Sequence, residues 1–332
     1  MLRTLLLLTF ALAATADAKS SRIEKDGAGK TVTVVDTANW PWPWDAPRTL
    51  SYDLEQRIET TRMGRTSLMR STEIQHITGD PGGGQVWRAS DAKVEYPEGF
   101  AAEQRAQVEA LNRSINRIGV RVTLDAQGAT TGIGNLAELL PEFRRSIEAV
   151  ALPAQEKALA AMENEAERAR AKETSDRLLQ AITSEAVIAA ELMRLPVAYN
   201  FPGKGGVVMG ETIQYEEDAP NPLGGDTFPM QGSFRVDPPA TEGGPIEMTW
   251  TVTMDPERSA PVLLDTAERM MGKTLSADER AKLPGRVVLR VVTRYRIDAA
   301  TGVIQWLERS ETRDVFGARD ERFLVMTLRP EA

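Results

Sequence analysis

The stretch NLAELLPEFRRSIEAV, Asn135 to Val150, opens a helical block that runs to Arg194, and its reading decides how the rest of the chain is arranged. Leu136, Leu139, Leu140, Phe143, Ile147 and Val150 recur at the i, i+3, i+4, i+7 spacing that places them on one helical face. Glu138, Arg144, Arg145 and Glu148 fall elsewhere on the cylinder, and Asn135 is the expected N-cap. Burying such side chains is worth roughly 1.5–3 kcal/mol each, but only against a complementary apolar surface. A sheet supplies one. A break is expected at Pro153. From Gln155 to Lys172 the apolar stripe narrows to Leu159, Met162, Ala166 and Ala169. Thr174, Ser175 and Asp176 offer caps for a restart, after which Leu178, Leu179, Ile182, Ala186, Ala189 and Met193 renew the apolar face until Pro196 stops it. The block reads as helices covering a sheet, or alternatively as a movable lid.

On both sides of the block the period changes from 3.6 to 2. Leu50, Tyr52, Leu54, Gln56 and Ile58 alternate with charged and polar residues, and strands follow at Thr66–Ile77 and Val86–Tyr96, the latter after the Pro81-Gly82-Gly83-Gly84 turn. No Lys-Ser/Thr pair follows those glycines, so they mark a hairpin and not a phosphate loop. A helix is expected over Ala101–Asn116 and a strand over Val120–Leu124, ending in the turn Asp125-Ala126-Gln127-Gly128. Beyond the block, strands are read at Val207–Tyr215, Phe228–Val236 and Ile246–Met254, where Ile246, Met248, Trp250, Val252 and Met254 alternate without a break. Asp255-Pro256 caps a helix ending at Gly272. A last meander covers Arg286–Ile297, Val303–Val315 and Arg322–Leu328, with Arg290, Arg294 and Arg296 on an outer face opposite the Glu308 and Glu311 region. Its turn, Asp298-Ala299-Ala300-Thr301-Gly302, is of the same style as the one at Asp125. The fold class is α+β: a strongly curved, half-barrel-like antiparallel β-sheet covered by a central helical block.

Met1–Ala18 carries Arg3, an apolar run from Leu5 to Ala14 and a terminal Ala16-Asp17-Ala18, the pattern of a cleaved signal peptide. Residues 19–328 then form one expected domain: a β-rich half at 19–134 containing one short helix, the helical block at 135–194 and a C-terminal β-meander at 195–328. Thr31–Val35 is a short β-branched run within the first part. No later stretch approaches the roughly 18 apolar residues of a membrane span, so the mature chain is expected to be soluble, exported and periplasmic. The absence of cysteine excludes disulfides, thiolate nucleophiles and zinc–thiolate sites, and a net charge of −8 argues against a nucleic-acid partner.

Trp40-Pro41-Trp42-Pro43-Trp44 is the oddest local sequence. Its prolines impose an extended path, and the three indoles suit stacking on a sugar, insertion at a membrane interface, contact with a partner, or a plug over one end of the core. Catalytic chemistry is not legible. The single histidine, His76, lies on a polar strand, no Gly-x-Ser-x-Gly elbow occurs, and the acids Glu163, Glu165 and Glu167 point to different sides of a helix. Asp218, Asn221 and Asp226 are oxygen donors on a Pro/Gly loop without the EF-hand pattern, so no metal and no cofactor is assigned.

The order of elements, with the Asp125–Gly128 hairpin running into the helical block, the Gly210-Glu211-Thr212 turn and Gly302 in the last meander, resembles an uncharacterised family of bacterial secreted β-sheet-plus-helix proteins over about Val120 to Leu328. The architecture is also loosely similar to the periplasmic lipoprotein carriers, whose half-open barrel and helical lid hold acyl chains. The preferred reading is a non-catalytic binding or carrier protein with an apolar or lipid-like ligand between sheet and helices, for which Met248, Trp250, Leu289, Val291, Tyr295 and Trp306 are the candidate lining residues; the plainer reading of the same six is core packing. The alternative is a structural or interaction component of the cell envelope with a solid core, meeting an envelope protein through Trp40, Trp42 and Trp44 or an exposed sheet edge.

Overall fold

The computed structural model describes residues 37–62, 64–80, 82–204, 207–221, 224–272, 274–277, 280, 288–315 and 318–330; the expected signal peptide and the run at Thr31–Val35 lie outside them. In chain order the elements are β1 (Thr37–Ala38), β2 (Thr49–Arg62), β3 (Arg65–Asp80), β4 (Gly84–Glu95), α1 (Ala102–Ile118), β5 (Val120–Leu124), β6 (Thr130–Ile133), α2 (Leu136–Ala160), α3 (Glu165–Ile182) and α4 (Glu185–Asn200). They continue with β7 (Val207–Val208), β8 (Thr212–Ala219), β9 (Phe228–Asp237), β10 (Ile246–Met254), α5 (Pro256–Met271), β11 (Val288–Ile297), β12 (Ile304–Val315) and β13 (Ala318–Leu328).

Eleven of the described strands form one antiparallel sheet in the order β6-β5-β4-β3-β2-β13-β12-β11-β10-β9-β8, curved but not closed, while β1 and β7 pair separately. Two meanders are thus joined at the middle by β2 and β13, with Leu54 opposite Met326. The first meander ends at one edge, β6, and the second begins at the opposite edge, β8. The helical block is the connection that carries the chain across the full width of the sheet.

Strand periodicity assigns the faces. The inner face carries Leu50, Tyr52 and Leu54 of β2, Met248, Trp250 and Val252 of β10, and Leu289, Val291 and Tyr295 of β11, all buried. Outer-face positions such as Asp53, Glu55 and Arg57, or Thr249, Thr251 and Thr253, are exposed or half-buried. Closest helix-to-sheet packing lies on the flanks, with α4 against β5 and β6, α1 against β4, and α5 against β9. The α2–α3 hairpin closes on a small core of its own, built from Ile147, Ala151 and Ile182 with Leu178 and Leu179 packed on it. No helix among the described residues is long and apolar enough to cross a membrane.

Several expected boundaries move. α2 runs through Pro141 and Pro153, and α4 runs through Pro196 to Asn200. An interior proline costs about 3 kcal/mol, but the residues beyond Pro196, Val197 to Asn200, are all buried, and tertiary packing overrides the local penalty. The break falls at Asn164, which caps α3 by accepting from the amides of Ala166 and Glu167, and not at Thr174–Asp176. Asn135 does not cap its helix. Its side chain is spent on β5, accepting from the Arg121 amide at 2.9 Å and donating to the Gly119 carbonyl at 2.9 Å. The strand expected from Val207 to Tyr215 is split, because Gly210 takes a positive φ between β7 and β8. Asp255 and Gly272 cap α5 as expected, the first through the amides of Glu257 and Arg258, the second in the left-handed conformation.

Candidate functional site

Cross-strand rows on the inner face define the site. The uppermost complete row is Val236, Met248, Tyr295, Leu307, Met326 and Leu54, apolar from β9 to β2. In the next row Trp250 stands opposite Thr293, and Thr293 opposite Arg309. Below it Val252, Val291, Glu311 and Arg322 stand in line, and then Leu289 faces Arg313. Directly opposed side chains on one face lie within roughly 4.5–5.5 Å at Cβ. An apolar lane on β9–β11 therefore meets a charged row on β12 and β13, inside the protein.

The lane is filled by aromatic and sulfur side chains. The Trp250 ring stacks on Phe201 with centroids 3.9 Å apart and planes 8° from parallel, and its Nε1 donates to Tyr215 Oη at 2.7 Å. Tyr215 in turn lies over Gly232, where a Cβ would clash with its ring. Tyr295 Oη donates to the Ala198 carbonyl of α4 at 2.7 Å, and Tyr199 of the same helix shares a 2.9 Å hydroxyl contact with Tyr52. Burial pushes the hydroxyls of Tyr52, Tyr199, Tyr215 and Tyr295 above their ordinary range.

Beside the lane, Arg309, Glu311 and Arg313 are all buried. Glu311 pairs with Arg313 and, at 3.7 Å, with Arg309, while Glu191 of α4 reaches Arg322 of β13 at 3.4 Å and Arg194 at 3.5 Å. Desolvation raises the Glu311 carboxyl, but the guanidiniums of Arg313, Arg194 and Arg309 outweigh it and hold the group below the usual carboxylate range. The expectation that Glu311 belongs to the outer face with Glu308 is corrected here. Glu308 does pair outside with Arg294, at 2.6 Å, but strand parity turns the odd residues of β12 inward.

Of the six residues expected to line a ligand space, Met248, Trp250, Leu289, Val291 and Tyr295 share the inner face. Trp306 does not. It lies opposite Arg296 on the outer face and holds that guanidinium 5.2 Å from its ring centroid, because the even residues of β12 face outward. Nor do Trp40, Trp42 and Trp44 form a free contact surface. Trp40 is buried and donates to the Gly203 carbonyl at 3.1 Å, Trp42 lies against Gly128, and Trp44 lies against Gly79 and Tyr199. Pro41 packs its carbonyl on Gly302. The segment is a plug seated on both Asp-initiated hairpin turns, whose glycines leave room where any Cβ would collide.

Elsewhere, His76 bridges Ser51 and Ser90 across three strands, at 2.9 Å on each ring nitrogen. The row lies on the outer face. Asn221 donates to Thr266 Oγ1 at 2.8 Å, and among the described residues no group of three or more His, Asp or Glu is placed to hold a metal. Open grooves of about 820 Å³, between Arg48–Ser51 and Gln305, Leu328 and Arg329, and about 670 Å³, over Gln214, Gln231, Thr251 and Thr253, lie outside the lane. Sequence reasoning missed the charged row. The only available signal was that Arg309, Glu311 and Arg313 share the parity of Leu307.

No protein-family model and no curated protein sequence matches the chain. A solved structure described in the words "lipid-protein interactions in lipovitellin" is similar to it at a TM-score of 0.43 and 10% identity. The match covers 86% of this chain, which spans 26% of that one.

Proposed function

We propose that the protein is an exported, periplasmic, non-catalytic binding or carrier protein that takes an apolar or lipid-like ligand between the inner face of the sheet and α4. The observation that carries this reading is where the helices touch the sheet. They approach closely on the flanks, whereas over β10 and β11 the connection is made by long side chains, Trp250 stacked on Phe201 and Tyr295 bonded to the Ala198 carbonyl, above a buried layer that includes Met248 and Met326. Methionine side chains repack at low cost, so outward movement of α4, at the expense of the Trp250–Phe201 stack and the Tyr295 bond, opens a lane without unpairing any strand. The test is native mass spectrometry of the mature chain isolated without detergent, followed by organic extraction, delipidation and rebinding. A reproducible adduct of lipid mass that returns on rebinding is expected. A clean mass that also fails to change with added lipid overturns the reading.

A second reading, an envelope interaction component, is favoured by the sheet edge. β8 ends the sheet with one side of its backbone unpaired to any described strand and with Thr212, Ile213 and Gln214 exposed, the geometry that accepts an added strand. Its contact site is then that edge and not Trp40–Trp44. Cross-linking from Gln214 to an envelope protein, absent when Ile213 is changed to Pro, supports this reading.

A further inference from the structure

The charged row under α4 is not balanced. Among the described residues, four guanidiniums, of Arg194, Arg309, Arg313 and Arg322, share the two carboxylates of Glu191 and Glu311. The adjoining Arg62–Asp320 pair, at 3.6 Å and with Asp320 directly opposite Arg313, adds one charge of each sign and leaves the excess unchanged. Only the Arg313–Glu311 contact is tight. Those of Arg309, Arg322 and Arg194 measure 3.7, 3.4 and 3.5 Å, against about 2.7–2.9 Å for a charge-assisted N–H···O bond. The Nε atoms of Arg309 and Arg322 are buried without a hydrogen-bond partner, and Arg309 is 7% exposed. Buried cations in excess of their counter-ions are costly and are normally offset by an anion. Burial, opposed by Glu311 and aided by the like charges of Arg194 and Arg313, holds the Arg309 guanidinium below its ordinary range.

The surroundings say what kind of anion fits. Arg309 shares its row with Trp250, and Glu311 and Arg322 share theirs with Val252 and Val291, so the donors open directly onto the apolar lane. A free inorganic anion would leave that side unused. We propose that the cluster is the head-group site of an anionic amphiphile, a long-chain carboxylate or phosphate whose tail lies along the lane, and that the Glu191 carboxylate of α4 holds the place of the head while the helix is closed. The inference rests on the carrier reading and adds the chemistry of the ligand. Glu191 is well suited to the substitution. Its side chain is 41% exposed, it sits on α4 beside the cluster, and its oxygen already lies between Arg194 and Arg322.

The test uses the full mature chain, delipidated, titrated by tryptophan fluorescence and native mass spectrometry with a long-chain fatty acid, the alkyl phosphate of equal length, the corresponding neutral alcohol and inorganic phosphate. The acid and the alkyl phosphate are expected to bind at least about tenfold more tightly than the alcohol, a difference of about 1.4 kcal/mol, with no binding of inorganic phosphate. Glu191→Gln should tighten both anionic amphiphiles and leave the alcohol unchanged, whereas Arg322→Gln should erase the preference. A structural role for Glu191 alone would move neither ratio. Equal binding of acid and alcohol, unchanged by Glu191→Gln, overturns the head-group site and leaves the carrier reading standing. Inorganic phosphate binding as tightly as the alkyl phosphate overturns the amphiphile. If no amphiphile binds, the carrier reading fails and the head-group site with it.

Discussion

Tyr295→Phe removes one hydroxyl from the centre of the protein and leaves the ring in place. That hydroxyl donates to the Ala198 carbonyl at 2.7 Å. In an unbroken helix the carbonyl of residue 198 would accept from the amide of residue 202, but residue 202 is Pro202, which has no N–H, and Ala198 is fully buried. Tyr295 therefore supplies the donor that the chain itself cannot. Its loss costs the bond and strands a buried acceptor, together about 1–3 kcal/mol. At about 2–4 °C per kcal/mol for a chain of moderate size, Tm should fall by roughly 2–12 °C. The assay is urea denaturation followed by far-UV circular dichroism, in which the midpoint should drop at constant m-value. Tyr52→Phe with Tyr199→Phe is the internal comparison: those hydroxyls are each other's partners at 2.9 Å, so the double variant should cost less than the sum of the singles. A Tyr295→Phe protein within about 0.5 kcal/mol of the parent would show that Ala198 finds another donor, and would refute the view that β11 fastens α4 through this bond.

Glu73 lies opposite Leu54 at the end of the apolar row, and burial raises its carboxyl above the ordinary range. A raised acid binds its proton more tightly in the folded state, so folding is favoured below the unfolded-state value and penalised as the pH rises through the folded one. Glu73→Gln should then raise Tm at neutral pH and give no gain in acid below the usual carboxylate range; a gain independent of pH would count against burial as the cause. Gly302→Ala should destabilise by at least the roughly 1–2 kcal/mol of a left-handed alanine, because its Cβ would also collide with the Pro41 carbonyl. A shift in tryptophan emission should accompany it, and an unshifted spectrum would show that the plug does not depend on this turn. Asp255→Ala removes the acceptor for two first-turn amides of α5 and should cost about 1 kcal/mol in a urea melt; a neutral result would mean that water satisfies those amides equally well.

Strands were legible wherever one face meets the core and the other meets water. The alternation of Ile246 to Met254 is reproduced residue by residue in the burial of β10. Helix ends were less legible, because Pro153 and Pro196 carry a strong local signal whose cost is overridden by packing that only the folded chain supplies. Asn135 shows the same limit from another side: its cap-forming side chain is claimed by Gly119 and Arg121, partners that only the folded chain brings within reach. The site was half legible. Met248, Trp250, Leu289, Val291 and Tyr295 could be assigned to the inner face because apolar alternation marks one, whereas Arg309, Glu311 and Arg313 were passed over because charge normally marks an outer face. Trp306 was misplaced for the complementary reason, a large apolar ring on the solvent side, where Arg296 covers it.

The seat of the Trp-Pro plug has a consequence for how the chain assembles. Trp42 rests on Gly128 in the first meander, while Pro41 rests on Gly302 near the far end of the sequence. A contact between such distant positions closes a very long loop, and long-range closures are the slow steps of folding. During synthesis the plug is among the first parts of the described chain to emerge, and part of its seat is among the last. The indole environment of Trp40 to Trp44 should therefore form in two stages: the partners of the indoles, Gly79, Gly128, Tyr199 and Gly203, all precede the β11–β12 hairpin in the chain, whereas the final fluorescence, with Pro41 seated on Gly302, should appear only after that hairpin has formed.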